Sequence, residues 1–197
     1  MYRILPKNKN KQPHPSKIKA HGAEGERIVR SRLSRLNMEV EFAKEIDDII
    51  FVDSKGNSHQ IDHILIRPNG VFVIETKNWA GRILGREDDD HWSIMLNRKL
   101  YLQYNPVRQN KAHCEQVRRI IGEKYHVNSV VAMMQNNGKK LNIPGVVNGC
   151  SLRRYIREFD DGTVLSKDEI DIIYYELIEA SSNMSLEEHI ENIKNKA

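Results

Sequence analysis

The sequence lacks the features that a membrane-spanning or disulfide-stabilised protein needs. No apolar run among its 197 residues approaches the roughly 20 residues of a transmembrane helix, and no apolar segment follows the basic N-terminus as in a signal peptide. The two cysteines, Cys114 and Cys150, have no metal-ligand spacing, and their apolar surroundings indicate reduced core thiols. These absences predict a cytoplasmic protein with no membrane partner.

Acidic residues are absent from the first 20 positions and abundant in the last 40. Residues 1–157 carry 28 Lys or Arg against 16 Asp or Glu, whereas residues 158–197 carry three against 11. A basic body suggests a polyanionic partner, above all nucleic acid, although composition alone equally allows ordinary solvated surface charge. We expect a flexible basic arm (1–20), an α/β body (21–157) and an acidic helical extension packed on the same domain (158–197).

A predicted β-hairpin carries charges that buried strands normally avoid. Two β-branched runs flank Asn69 and Gly70, which we expect to form a two-residue turn. In that register Asp62 faces Lys77, Glu75 lies on the diagonal, and all three side chains share one face. An Asp and a Glu on adjacent strands can share a divalent cation, with the lysine beside them to orient or deprotonate water. The plainer alternative is a cross-strand Asp–Lys pair with the glutamate near the sheet end.

Two helices flank this hairpin and bring polar residues towards its edges. The first is expected over residues 21–37, where Glu26 lies three residues before Val29 and therefore on the core-facing side. A first-turn glutamate could equally complement the helix dipole. The second helix has Asn105 as its N-cap, runs to about residue 123, and holds Gln109 in its first turn.

The remaining pattern predicts further strands and a helical C-terminal part. Strands are expected at roughly 38–46, 48–53, 82–86, 92–96, 127–134 and 146–150, a polar turn at 135–140, and helices at 152–159, 167–181 and 186–196. The acidic residues 87–91 are more typical of a solvated turn than of a metal site. The order helix, strands, hairpin, helix, strand indicates an α/β domain with a mixed sheet covered by helices.

Four motifs in order resemble those of the nuclease-related domain (NERD) family, a branch of the PD-(D/E)xK phosphodiesterase superfamily. They are GAEGE at 22–26, IDHI at 61–64, VIETKNW at 73–79 followed by Gly81, and NPVRQN at 105–110, and the resemblance covers roughly residues 18–135. It implies a restriction-endonuclease-like fold: a mixed β-sheet flanked by helices, with an α-β-β-β-α-β core and, here, a C-terminal helical extension. The superfamily's proline before the aspartate is replaced by Ile61, which is a common departure.

The resemblance also implies an active site. It maps the family's helix glutamate onto Glu26, its metal aspartate onto Asp62, its Glu-x-Lys onto Glu75 and Lys77, and its later glutamine onto Gln109. These five residues would be catalytic, and the three acids would bind Mg²⁺ or Mn²⁺. The implied activity is cleavage of DNA, which is favoured over RNA, through activation of a metal-bound water.

Two other functions remain open. The first is a nucleic-acid-binding module of the same fold with little or no catalysis, which the charge asymmetry favours. The second is an assembly protein in which the acidic tail of one copy packs on the basic body of another, as a homo-oligomer would require. That last alternative leaves Glu75 and Lys77 without a role.

Overall fold

The computed structural model describes residues 15–53, 56–135, 141–181 and 186–194. Within these ranges the helices are α1 (Pro15–Asn37), α2 (Pro106–Ile121), α3 (Leu152–Glu158), α4 (Lys167–Ala180) and α5 (Leu186–Lys194). The strands are β1 (Lys44–Val52), β2 (Ser58–Arg67), β3 (Gly70–Lys77), β4 (Arg82–Leu84), β5 (His91–Leu96), β6 (Lys99–Tyr104), β7 (Val127–Met133) and β8 (Val146–Asn148).

The central sheet has five strands in the order β1-β2-β3-β7-β8 and helices on both faces. The first three strands are antiparallel, and β7 and β8 run parallel to β3. One face packs against α1 and α3 through a core that includes Leu33 and Phe72, and the other packs against α2 and α4 through a core that includes Val73 and Val117. This is the predicted mixed α/β architecture with a C-terminal helical region.

A second, three-stranded sheet, β4-β5-β6, lies between β3 and α2 in the chain. The buried side chains of Ile83, Trp92 and Ile94 attach it to Val131 and Met133 of the central sheet. Strand β6 was not predicted, because the turn before it contains neither glycine nor proline and its strand residues are largely exposed.

The predicted turn of the β2–β3 hairpin is wrong by one residue. Arg67 pairs with Gly70, so Pro68 and Asn69 occupy the two central positions of the turn. Proline's fixed φ suits the first central position, and Gly70 follows with φ 137°, a value that other residues rarely adopt. The shift moves every cross-strand pair by two residues, so the side chains between His63 and Ile74 keep their predicted faces although they change partners.

Several boundaries also differ from the sequence predictions. Helix α1 begins at Pro15, because proline is well accommodated in a first helical turn, and the first 14 residues of the predicted arm lie outside the described residues. A single strand, Lys44–Val52, replaces the two runs predicted at 38–46 and 48–53. Most of the predicted 135–140 turn is also outside the described residues. Cys114 is buried, as expected, but Cys150 is exposed, and both are free thiols.

The structure adds one observation on membrane contact. In the described part of the chain, no helix combines the length and the apolar character needed to cross a bilayer.

Candidate active site

The site begins where β2 and β3 stop pairing. The last paired residues are His63 and Ile74. Beyond them, the backbone N–H of Thr76 donates to the carboxylate of Asp62 at 2.8 Å and not to a backbone carbonyl of β2. Burial raises the pKa of the Asp62 carboxyl, and the nearby charge of Glu75 raises it further. The charge partner predicted for Asp62 was Lys77; the observed register instead brings it beside Glu75 and Thr76.

Glu75 is the most deeply buried charge of the site. Its side chain is 3% exposed, one carboxylate oxygen lies 2.5 Å from Lys77 Nζ, and the other lies 3.6 Å from His113 Nε2. That second oxygen and the histidine nitrogen are both buried without a hydrogen-bond partner in the part of the chain that is described. The Lys77 ammonium also lies 5.7 Å from the centre of the Trp79 ring. Glu75 is therefore held between a lysine and a histidine.

One asparagine caps helix α2 and a second one fixes the helix against β3. Asn105 caps its first turn by accepting the N–H of Val107 at 2.9 Å, as the sequence predicted. Buried Asn110 donates to the carbonyl of Val73 at 2.9 Å and also to groups of Ser129 and Val130 on β7. These bonds set the position of the helix relative to the strand that carries the glutamate two residues later.

His113 is a site residue that the sequence reading did not single out. It lies one turn after Gln109 and three residues after Asn110 on α2, so it faces the sheet beside Glu75. Burial, with smaller effects from the charges of His59 and Lys77, lowers its pKa to about 4, so the imidazole is neutral at physiological pH. The signal was its four-residue spacing from the motif glutamine.

Gln109 itself is half-buried in the first turn of α2. Its side chain makes no hydrogen bond to any residue in the described ranges, so nothing ties it to Glu75 in this conformation. The structure brings together Asp62, Glu75 and Lys77, and leaves the glutamine at the edge of that group.

Glu26 reaches the site from α1. The residue is half-buried on the face that contacts the sheet, whereas Glu24 is exposed and pairs with Arg27. Burial raises the pKa of the Glu26 carboxyl, and the charges of Asp62 and then Asp48 raise it further. The predicted core-facing orientation is confirmed.

Gly25 allows this approach of α1 to the end of β3. A Cβ at this position would lie 2.8 Å from the Cβ of Asn78 and 3.3 Å from Cγ2 of Thr76. We expect Gly25→Ala to lower the free energy of unfolding by about 1–3 kcal/mol, because α1 must move away from the strand. Urea unfolding measures the loss, with Ala23→Ser, on the exposed side of the same helix, as control. An unchanged midpoint would contradict the close packing.

Asp48 is an acidic residue near the site that the sequence pattern does not reveal. Ile46 and Ile49 of β1 are three residues apart, as are Ile61 and Ile64 of β2, yet all four side chains pack into the same core. Residues three apart on a regular strand lie on opposite faces, so each strand changes the face that it buries between its two isoleucines. Asp48 lies at the change with φ 53°, where its carboxylate pairs with Arg30. The signal was a three-residue isoleucine spacing in strands that should have a period of two.

A buried polar network supports this region from β1. His63 is fully buried and its Nδ1 lies 2.5 Å from Asp47, whose other oxygen lies 2.7 Å from Arg30 Nε. Glu45 lies beside the network and accepts from Ser34 at 3.2 Å. Burial, and then the charge of Asp47, raises the pKa of Glu45 to about 7.

This shift predicts how stability depends on pH. Because the folded pKa of Glu45 lies above the ordinary value of 4.5, its favourable contribution is complete below pH 4.5 and is lost as pH rises through about 7. We expect Glu45→Gln to gain roughly 2–3 kcal/mol of unfolding free energy relative to wild type between pH 4.5 and pH 8. Chemical denaturation at both pH values, with the exposed Glu41→Gln as control, measures the gain. A pH-independent difference would contradict it.

The carboxylate oxygens of the site meet only some of the requirements for binding a hard divalent cation. Carboxylate oxygens are the ligands that Mg²⁺ and Mn²⁺ prefer, and the buried oxygen of Glu75 has no hydrogen-bond partner in the described ranges. Among the described residues, however, no three His, Cys, Asp or Glu side chains converge as a metal-ligand set. The arrangement therefore fits a cation held by one or two carboxylates and completed by water.

Two comparisons with known proteins find similar sequences. The family model for the nuclease-related domain matches residues 21–134, which include most of α1, the central hairpin, the second sheet, α2 and β7. An uncharacterized protein of Bacillus anthracis is 29% identical over 200 residues, covering 98% of this chain and 92% of that protein. The similarity to that protein thus extends through the C-terminal helices.

Proposed function

The chain belongs to the nuclease-related domain family, and from that premise we propose that it is a metal-dependent nuclease that hydrolyses phosphodiester bonds in DNA. The observation that carries the proposal is the position of Glu75. A carboxylate buried in a strand is costly unless it is paired or binds a cation, and only one oxygen of Glu75 is paired, with Lys77, while the other is buried without a hydrogen-bond partner in the described ranges. Asp62, whose carboxyl pKa is raised, lies beside it. Such a cost is typical of functional sites.

Asp62, Glu75 and Glu26 are the residues that would hold Mg²⁺ or Mn²⁺. When bound, such an ion neutralises phosphate charge and lowers the pKa of water. The Lys77 ammonium, which lies 2.5 Å from the Glu75 carboxylate, would orient the attacking water or donate a hydrogen bond to the phosphoryl oxygens as their charge grows.

The other residues position these groups. Asp62 keeps its orientation through the N–H of Thr76, and His113 limits the movement of the Glu75 carboxylate on the side away from Lys77. Glu26, with its raised pKa, can hold a proton or accept one from water at the α1 edge of the site. The side chain of Gln109, which makes no hydrogen bond to the described residues, is available to contact the substrate.

The proposal is tested by incubating supercoiled plasmid, linear duplex and single-stranded RNA with the purified chain in Mg²⁺ or Mn²⁺, and again in EDTA. We expect metal-dependent cleavage of DNA that EDTA abolishes and added metal restores. Cleavage of RNA alone would revise the substrate, and the absence of cleavage in every metal would refute the activity.

A nucleic-acid-binding module without catalysis is the second candidate. The observation that favours it is the short Lys77–Glu75 ion pair, which occupies one of the two carboxylate oxygens that a cation would need. This candidate requires binding that weakens steeply with salt and does not depend on metal. Metal-dependent cleavage would exclude it.

A further inference from the structure

The turn that joins β5 and β6 has an unfavourable backbone. Both of its residues, Asn97 and Arg98, have positive φ angles, 50° and 61°. Two-residue hairpin turns of this kind favour Asn followed by Gly, because a side chain in the left-handed region clashes with the backbone. An arginine in the second position retains strain that a glycine would remove. Retained strain of this kind points to a role for the side chain.

The same end of the second sheet carries cations without acidic partners. Leu96 pairs with Lys99 across the turn, and Arg82 of β4 pairs with the nearby Met95 of β5. Within the described ranges, Arg82, Arg98 and Lys99 form no ion pair. The acidic loop at residues 87–91 lies at the opposite end, where Asp90 and Glu87 are paired with two basic residues of α2. The positive charge of the tip is therefore uncompensated.

The hairpin is firmly attached and close to Lys77. Trp92 is fully buried and its indole donates to the carbonyl of Arg86 at 2.9 Å. A Cβ at Gly81 would lie 2.5 Å from the Met95 carbonyl, so the chain contacts the tip region four residues after Lys77. Four residues span at most about 14 Å. The tip thus lies within a few base pairs of the candidate active site along a duplex.

We propose that the end of the second sheet formed by the β5–β6 turn and the start of β4 is a nucleic-acid-binding arm whose cations, Arg98 and Lys99 at the turn and Arg82 on β4, contact the phosphates of the duplex that the active site cleaves. This rests on the proposed nuclease function and assigns the substrate's binding surface. Uncompensated lysines and arginines that contact phosphates supply the salt-dependent part of DNA affinity.

The outer face of the sheet admits another occupant. Met95, Leu100 and Leu102 are 46%, 59% and 63% exposed on one side of the arm, which would also suit contact with a second copy of the chain. The charge of the tip favours nucleic acid over a second copy of the chain. A polyanion compensates the three tip cations, whereas a second copy docked through the same face would bring the same positive tip.

The test compares Arg98→Gly with wild type in binding and in stability. A short fluorescent duplex is titrated in EDTA by anisotropy between about 50 and 200 mM salt, where loss of one phosphate contact lowers the salt slope by about 0.9. We expect the salt slope of Arg98→Gly to be lower than that of wild type by about 0.9 and its Kd to be several-fold higher. Its Tm should rise by about 2–4 °C, because glycine removes the strain in the turn. Arg98→Lys should keep the slope, and Arg154→Gln, an exposed charge on α3, should keep both.

The outcomes separate this inference from the proposed function. If wild type cleaves DNA but Arg98→Gly binds with an unchanged Kd and salt slope, the arm is refuted and the nuclease stands. If wild type binds in EDTA and loses affinity in Arg98→Gly but never cleaves, the arm stands without the nuclease. A change in molecular mass without a change in DNA affinity would make the face an interface between copies and overturn the arm.

Discussion

Lys77→Met is expected to reduce the rate of DNA cleavage by roughly 10²–10⁴-fold. Methionine keeps most of the length of the side chain but removes the ammonium that lies 2.5 Å from Glu75. The loss follows because positioned proton donors and charges that stabilise the transition state contribute factors of this size. Single-turnover cleavage of a labelled duplex in saturating Mn²⁺ measures the rate.

Two controls make the Lys77 result interpretable. Lys167→Met removes an exposed lysine that pairs with Asp171 on α4, and it should leave the rate unchanged. Thermal unfolding in EDTA shows whether Lys77→Met is folded, since removal of one partner of a buried ion pair leaves the other uncompensated. A folded Lys77→Met protein that keeps more than a tenth of the wild-type rate would exclude the assigned role, because the ammonium would then be dispensable.

Asp62→Asn is expected to stabilise the metal-free protein while abolishing cleavage. The folded pKa of Asp62 is raised by burial and by Glu75, so its favourable contribution is complete below the ordinary carboxyl pKa and is lost as pH rises through the raised value. An amide removes this repulsion and still accepts the N–H of Thr76. We expect a gain of roughly 1–3 kcal/mol in unfolding free energy at pH 8.

The activity of Asp62→Asn should change in the opposite direction, by a factor of at least about 10², because a neutral amide is a poor ligand for a hard cation. Denaturant unfolding in EDTA and single-turnover cleavage are measured on the same preparation. Asp53→Asn, an aspartate at the other end of β1 and β2, serves as the charge-matched control. A variant that is less stable at pH 8 and equally active would contradict both parts of the prediction.

The face of the sheet on which each site residue lies could be predicted from sequence, because side chains alternate between the two faces along a strand. The turn was assigned to Asn69 and Gly70 instead of Pro68 and Asn69, and the pairs moved by two residues, yet Glu75 and Lys77 kept a common face. Helical spacing likewise placed Glu26 correctly, because it depends only on local geometry. Contacts between strands, in contrast, depend on the exact register. The predicted partner of Asp62, Lys77, was therefore wrong, and Glu75 lies beside it instead.

The missed features depend on contacts that are distant in sequence. His113 becomes notable only when Asn110 fixes α2 against β3 and brings the imidazole to 3.6 Å from Glu75. Asp48 lies at a change of buried face that a strict period of two conceals. Strand β6 follows a turn of two non-glycine residues with positive φ, which no turn rule favours.

Asp62, which is half-buried, and Glu75, which is buried, are the carboxylates proposed to hold a divalent cation. The most direct measurement is electron paramagnetic resonance of Mn²⁺ titrated with the metal-free chain, for wild type and for Asp62→Asn, without nucleic acid. We expect a saturable Mn²⁺ site in wild type whose affinity falls at least about 10-fold in the variant. Wild-type protein that leaves Mn²⁺ free, or a variant that binds it equally well, would contradict this assignment.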